Sequence, residues 1–222
     1  MAKNAGGQMS ESLPLAALLA VVGGFLDAYT YLLHGGVFAN AQTGNIVLLG
    51  LKLAEGAFLP ALYYLVPIAA FALGVITVEC IRRRFSGHTR IHWRQITVAA
   101  ECVALLLVSF VPAERWNMLV NPAVSFLCAM QVESFRKVRG SVFASTMCTG
   151  NLRSGTELLY LYRATGERAY LGQGLRYYGV ILFFMVGAAA GGLLCGLLAE
   201  KAALFCCLLL AAGFGLMFVK SA

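Results

Sequence analysis

The tripeptide Thr-Gly-Asn occurs twice in this chain of 222 residues, at positions 43–45 and 149–151, which are 106 positions apart. An acidic residue precedes each copy by 16 positions, Asp27 before the first and Glu133 before the second. Threonine and asparagine side chains hydrogen-bond in both directions, and glycine lets a solute or another backbone approach closely. A carboxylic acid can also carry a proton when burial keeps it neutral. The candidate solute-binding residues are therefore Asp27, Thr43, Gly44, Asn45, Glu133, Thr149, Gly150 and Asn151.

The composition predicts a membrane protein. Apolar residues make up 60% of the chain and charged residues 12%, against about 45–50% and about 25% in ordinary soluble domains. The net charge of +7 lies in short basic clusters between apolar stretches. This pattern indicates membrane topology and attraction to anionic lipid. The expected partners are the lipid bilayer and a small-molecule or ion solute, with no nucleic acid and with the oligomeric state left open.

Eight apolar segments follow one another and divide into two sets of four. They span residues 13–33, 37–53, 59–81, 96–111, 118–135, 142–161, 178–198 and 202–219. The second and sixth are short or interrupted, and these two carry Thr-Gly-Asn, as duplication of a four-segment unit would produce. The sequence therefore predicts an all-α transmembrane helical bundle that forms one membrane domain. Its parts are a polar N-terminal tail at 1–12, a first membrane repeat at 13–112 and a second at 113–222.

The basic residues predict which segments cross the membrane. If all eight crossed, lysine and arginine would divide almost evenly between the two sides. If the second and sixth segments instead enter and return on one side, only Lys52, Arg115 and Lys201 face outside. Thirteen basic residues then face the cytosol: Lys3, Arg82, Arg83, Arg84, Arg90, Arg94, Arg136, Lys137, Arg139, Arg163, Arg168, Arg176 and Lys220. The positive-inside rule favours this arrangement, with both termini in the cytosol.

Three crossings per repeat is an odd number, so the two repeats would have opposite orientations in the membrane. Inverted repeats with interrupted helices are found in many transporters. Each re-entrant segment would contain a half-helix, which we expect Thr43 and Asn45, or Thr149 and Asn151, to cap. The positive ends of the two half-helix dipoles would favour a neutral polar solute or an anion at the centre.

The stretch GGFLDAYTYLLHGGVFANAQTGNIVLLG carries Gly24 and Asp27, then Gly36-Val-Phe, then Thr43-Gly44-Asn45, and VFASTMCTGNL follows later. This pattern resembles the YoaK-type family of uncharacterised bacterial inner-membrane proteins, over nearly the whole chain. The resemblance implies a multi-pass protein of the bacterial cytoplasmic (inner) membrane. It implies no activity and no role for any residue.

Two functions remain open at this point. The preferred one is movement of a small solute across the membrane, by a secondary transporter or a facilitative channel. The alternative is a non-transporting scaffold or accessory subunit, in which Thr-Gly-Asn only packs helices together. An enzyme is not expected, because no nucleophile–base pair stands out. No cofactor or metal is expected either, because the seven cysteines and three histidines show no ligand spacing.

The buried acids also have a structural interpretation. Asp27 and Glu133 could pair with arginine or with backbone groups instead of binding solute, and Arg136 is three residues from Glu133. Glu79 and Glu101 are expected near the cytosolic interface, where the arginine cluster would pair with them. A cavity at mid-depth lined by both motifs would favour transport, and a dry, fully packed centre would favour the scaffold.

Overall fold

A computed structural model describes residues 12–85, 93–112, 115–135, 137–138, 141–142 and 148–218. In these ranges the chain forms eight α-helices: α1 (Leu13–Leu33), α2 (Gln42–Ala54), α3 (Phe58–Phe85), α4 (Trp93–Val108), α5 (Asn117–Ser134), α6 (Cys148–Thr165), α7 (Arg168–Leu198) and α8 (Ala203–Leu216). A 3-10 helix, Ala199–Ala202, joins α7 to α8. Two short strands, β1 (Lys137–Val138) and β2 (Ser141–Val142), pair antiparallel before α6. The all-helical bundle predicted from the sequence is confirmed.

Three helical stretches are long and apolar enough to cross a membrane, within the part of the chain that the structure describes. They are Leu13–Leu33, Phe58–Arg84 and Arg168–Leu216, the last of which includes both α7 and α8. Many large apolar side chains point outward on these stretches, as Leu59, Leu193 and Leu197 do. An apolar surface of this extent suits lipid and not water. The polar tail 1–12 lies outside the described residues except for Ser12, which caps α1 through the N–H of Leu15.

α1 is the central helix of the bundle. Its membrane stretch is 67% buried, whereas the other two stretches are 22% buried. Phe25 and Tyr29 of α1 are the largest fully buried side chains. α1 packs mainly against α7, and the two helices run in the same direction, because Gly187 lies against Val21 and Gly191 against Phe25.

The remaining helices pack in a few recurring pairs. α3 packs in parallel against α5, where Gly74 lies against the backbone of Phe126. α2 packs against α3, α6 against α7, and α4 against α8. Small residues at these contacts let helix backbones approach closely, which is the usual means of packing in membranes. The start of α5 lies beside the end of α1, where Asn117 meets His34.

Candidate functional site

Each Thr-Gly-Asn tripeptide lies in the first turn of a helix. α2 begins at Gln42 and α6 begins at Cys148, so each helix starts one residue before its threonine and at the same register of the duplication. The N-cap of α2 is Ala41, and no side chain caps this helix. The predicted capping by Thr43 and Asn45 is therefore wrong, because the helix starts before them. In α6 the threonine and asparagine also lie inside the first turn, and residue 147 lies outside the described residues.

Asn45 fixes the irregular segment that connects α1 to α2. Its Oδ1 accepts a hydrogen bond from the N–H of Phe38 at 2.9 Å, and its Nδ2 donates to the carbonyl of Phe38 at 2.7 Å. Nδ2 also donates to the side chain of Gln42 at 2.9 Å. Gly44 lies directly against the Phe38 ring, where a Cβ would come within 2.8 Å of it. The asparagine and glycine of the first motif thus bind the chain that precedes them.

Asp27 binds the same segment from the side of α1. Its Oδ1 accepts hydrogen bonds from the N–H of Asn40 at 2.6 Å and from the N–H of Ala41 at 3.4 Å. The Asn40 side chain donates in turn to the carbonyl of Gly23 at 3.1 Å. Asp27 is 5% exposed and Asn45 is fully buried. The structure therefore brings Asp27 and Asn45 onto one segment, where backbone N–H groups satisfy the Asp27 oxygen and backbone groups satisfy the Asn45 amide.

The second motif matches the first in the burial of some residues and differs in the surroundings of its glycine. Asn151 and Glu133 are buried, as their counterparts are, whereas Thr149 and Gly150 are exposed, as Thr43 is in the first copy. A Cβ on Gly150 would touch nothing within 4 Å, unlike one on Gly44. Residues 143–147, which correspond to the segment that Asn45 binds, lie outside the described residues. Arg136, the expected partner of Glu133, lies outside them as well.

The second motif nevertheless approaches the first acid. The thiol of Cys148, at the start of α6, lies within electrostatic range of the Asp27 carboxylate. The beginning of α6 and the segment before α2 therefore come together beside α1. The segment before α2 hydrogen-bonds to Asp27, and the start of α6 lies near it.

The sequence analysis missed a row of buried polar residues along the whole length of α5. We call this row the α5 polar face: Asn117, Asn121, Ser125, Cys128, Gln131 and Ser134, each at most 6% exposed. The steps of three or four residues place all six side chains on one side of the helix. The helical spacing of all six was the signal that could have revealed the face.

At one end the α5 polar face meets the end of α1. His34 is fully buried, and its Nδ1 lies 2.8 Å from Oδ1 of Asn117. The Nδ2 of Asn121 donates to the backbone carbonyl of His34 at 2.7 Å. Further along α5, Cys128 lies near Asp27, which comes earlier in α1 than His34 does. The two helices are antiparallel.

At its other end the α5 polar face meets α4. Glu101 is 1% exposed, and its two carboxyl oxygens accept hydrogen bonds from Nε2 of Gln131 at 3.0 and 3.3 Å. The expected pairing of Glu101 with arginine is wrong within the described chain, because its partner there is an amide on another helix. Its position near the cytosolic interface stays a prediction. The Nε of Arg94, at the start of α4, donates to the carbonyl of Ser134 at 2.9 Å.

Five buried polar atoms have no hydrogen-bond partner within the described chain. They are His34 Nε2, Asn40 Oδ1, Asn121 Oδ1, Ser125 Oγ and Ser134 Oγ. Three belong to the α5 polar face, His34 bonds to that face, and Asn40 belongs to the segment that Asp27 holds. A buried polar atom without a partner costs about 1–3 kcal/mol. Water or a polar solute along this face would satisfy these atoms.

The apolar exterior, the three membrane-length stretches and the buried polar interior define an all-helical membrane protein. The chain belongs to the family described as "Protein of unknown function (DUF1275)", whose model matches residues 15–216. It is 27% identical over 145 residues to the UPF0700 transmembrane protein YoaK of Bacillus subtilis (strain 168), over 63% of this chain. The match covers 64% of the length of that relative. The expected YoaK-type family is confirmed. No solved structure matches the chain.

Proposed function

We propose that the protein moves a small polar solute across the cytoplasmic membrane, as a secondary transporter or facilitative channel. The α5 polar face is the observation that carries this proposal. It extends along the interior of the bundle from His34 to Ser134 and includes or adjoins all five unpartnered polar atoms. Polar groups inside a membrane protein are costly, and they commonly mark the path of an ion or solute.

The helix pairs support a two-fold relation between the proposed repeats. Exchanging α1 with α5, α2 with α6, α3 with α7 and α4 with α8 converts the α1–α7 pair into α5–α3 and the α2–α3 pair into α6–α7. The α4–α8 pair is converted into itself. α1 and α5 correspond to each other and are antiparallel, as two repeats of opposite orientation require.

The lengths of the paired helices support re-entrant half-helices. α2 has 13 residues and is about 20 Å long, too short for a hydrocarbon core of about 30 Å. α6 lies along the first half of α7, because Gly155 faces Tyr178 and Gly174 faces Leu159. α7 has 31 residues and a length of about 46 Å, so its first turns extend beyond the core. α6 can therefore begin in the middle of the membrane and end outside it.

Cysteine labelling tests the proposed orientation at equivalent places in the two repeats. Lys52 lies near the end of α2, and Glu167 lies in the exposed turn after α6. In a Cys80→Ser background, which removes the exposed cysteine, an impermeant maleimide should label Lys52→Cys in intact cells. It should label Glu167→Cys only after the membrane is permeabilised. Labelling of both positions from the same side would contradict the inverted arrangement and the cytosolic placement of both termini.

A ligand screen tests transport itself. Purified protein would be heated in the presence of amino acids, sugars, polyols, amines, carboxylates or small inorganic anions, each at several pH values. A solute that binds the folded form preferentially stabilises it by mass action, by about 2.7 kcal/mol at 100 times its Kd. The unfolding midpoint therefore rises. At least one class should do so, and proteoliposomes should take up that solute. Uptake no faster than in empty liposomes, for every solute that binds, would contradict the proposal.

The scaffold remains a second candidate, and one observation favours it. Asp27, Asn40 and Asn45 all make hydrogen bonds to the protein's own backbone. These side chains therefore act as packing and folding groups in the structure as it stands. A screen in which no solute class changes the unfolding midpoint would favour this role. Neither candidate assigns the protein a catalytic step.

A further inference from the structure

We infer that Glu101 and Gln131 form a proton-binding site, which a file of water molecules along the α5 polar face connects to the membrane surfaces. The inference deepens the proposed function, because it names the proton as the ion that a coupled transport cycle would bind. It rests on that function only for the coupling. The binding of the proton itself follows from the surroundings of one carboxyl group.

Among the residues that the structure describes, no cation lies beside Glu101 to neutralise it. Gln131 is its hydrogen-bond partner, and the titratable groups that face it are thiols: Cys128 from α5, with Cys206 and Cys207 from α8. The described part of α3, the other helix that touches α4, places no charged group near enough to act on it. A buried carboxylate without a counter-charge is costly by several kcal/mol, whereas the protonated acid is neutral. The surroundings therefore favour uptake of a proton.

Gln131 can bind both forms of the acid. Its Nε2 lies 3.0 and 3.3 Å from the two carboxyl oxygens, so either oxygen can accept its hydrogen bond while the other carries the proton. An amide side chain has no charge and does not titrate, so it can donate to the acid before and after protonation, although it donates more strongly to the carboxylate. An arginine at this position would hold the carboxylate charged. The glutamine holds the group in place and leaves its charge free to change.

The cytosolic route to Glu101 starts at Arg94. Ser134, one turn beyond Gln131 on α5, has an unpartnered hydroxyl, and Arg94 binds its carbonyl. Thr97, one turn before Glu101 on α4, is 2% exposed and donates to the carbonyl of Arg94 at 2.8 Å. The buried hydroxyl groups of Ser134 and Thr97 thus lie between Arg94 and Glu101. Water held between such groups has the two to four partners that it needs.

The route in the other direction follows α5 toward α1. The thiol of Cys128 lies within electrostatic range of both Glu101 and Asp27. Beyond it come the unpartnered atoms of Asn40, Ser125, Asn121 and His34. The polar groups therefore continue from Glu101 to the end of α1 without a fully apolar turn on this face.

The proposed step is a simple proton transfer. A water molecule of the file, as hydronium, gives its proton to one carboxyl oxygen of Glu101, and an O–H bond forms there as one O–H bond of the hydronium breaks. The charge of Glu101 changes from −1 to zero, and neutral water remains. Release to water on the opposite side reverses the same exchange. No electron is transferred and no other reactant is needed.

Infrared difference spectroscopy of the full chain in liposomes tests the site without any solute. Stepping the pH from about 5 to about 9, across the range in which a buried acid titrates, should remove the carbonyl band of a protonated carboxyl group. A component of the band should be lost in Glu101→Gln and kept in Asp27→Asn, because Asp27 is a second buried acid that can add to the band. It should persist in Glu79→Gln, because Glu79 is partly exposed and pairs with Arg82. An unchanged band in Glu101→Gln would overturn the inference.

A second variant covers the case in which Glu101→Gln fails to fold. Gln131→Met keeps the volume but removes the donor to both carboxyl oxygens, so the band should move in frequency and titrate at higher pH. A band that Gln131→Met leaves at the same frequency and the same midpoint would overturn the inference. A Glu101 band in a protein that takes up no solute would support the proton site and end the transport proposal. Solute uptake without a Glu101 band would support the transport proposal and overturn the proton site.

Discussion

Replacing Asp27 with alanine should lower the stability of the folded protein by about 3 kcal/mol or more, because backbone hydrogen bonds to a charged group contribute about 1.5–3 kcal/mol each. The carboxylate accepts from the N–H groups of Asn40 and Ala41, in a segment that neither helix includes. Without the acceptor, buried N–H groups remain unpaired among apolar neighbours. A thermal unfolding curve in detergent should show a midpoint lower by about 10 °C, at about 2–4 °C per kcal/mol for a chain of this size.

Asp27→Asn is the matched comparison, because it keeps an oxygen in the same place and removes only the charge. Its midpoint should fall less than half as far as that of Asp27→Ala. Solute uptake by this variant then separates the two roles of the acid. Uptake close to that of the unmodified protein would mean that Asp27 only holds the segment before α2. Loss of uptake by a fully folded Asp27→Asn would mean that its charge or its proton belongs to transport. An Asp27→Ala variant as stable as the original would contradict the structural role.

Much of the fold could be predicted from the sequence, because lipid imposes a strong length requirement on apolar segments. The predicted span 13–33 coincides with α1, and each of the other seven segments corresponds to one helix. The interrupted second segment was recognised correctly by its polar residues. Its helix begins at Gln42, before the residues that we expected to cap it, because Gln42 and Asn45 hydrogen-bond each other and the segment before them. Such side-chain bonds depend on where the preceding chain lies, and the sequence does not specify that.

The candidate site was predicted only in part, for a related reason. Asp27 was selected because an acid inside an apolar segment is costly, and its burial was anticipated correctly. The partner of Glu101 was not anticipated, because Gln131 lies 30 positions away on a different helix. Nearby arginines seemed the more natural partners by sequence distance alone. The pairing of helices α4 and α5, which decides between them, depends on the packing of the whole bundle.

Ser125→Val should lower solute uptake by roughly tenfold or more, which corresponds to about 1.4 kcal/mol on the barrier. The substitution should leave the protein as stable as before. The Ser125 hydroxyl is fully buried and has no partner among the described residues, so its removal breaks no hydrogen bond seen there. Replacing an unpartnered polar group with an apolar one of similar shape is nearly neutral or stabilising. The valine methyl groups would occupy the space of a water molecule on the α5 polar face. Uptake into proteoliposomes and the unfolding midpoint would be measured on the same preparation.

Ser109→Val is the matched control, because Ser109 is equally buried but lies at the end of α4, and its hydroxyl donates to the carbonyl of Leu106 at 2.6 Å. Loss of this hydrogen bond should lower the unfolding midpoint and leave uptake per folded protein unchanged. The two serines should therefore show opposite effects, stability without transport at position 125 and transport without full stability at position 109. A polar group that is retained at a cost to packing, and whose replacement harms only activity, is a functional group. If Ser125→Val instead loses stability and keeps its uptake, the α5 polar face is a packing surface and the solute passes elsewhere.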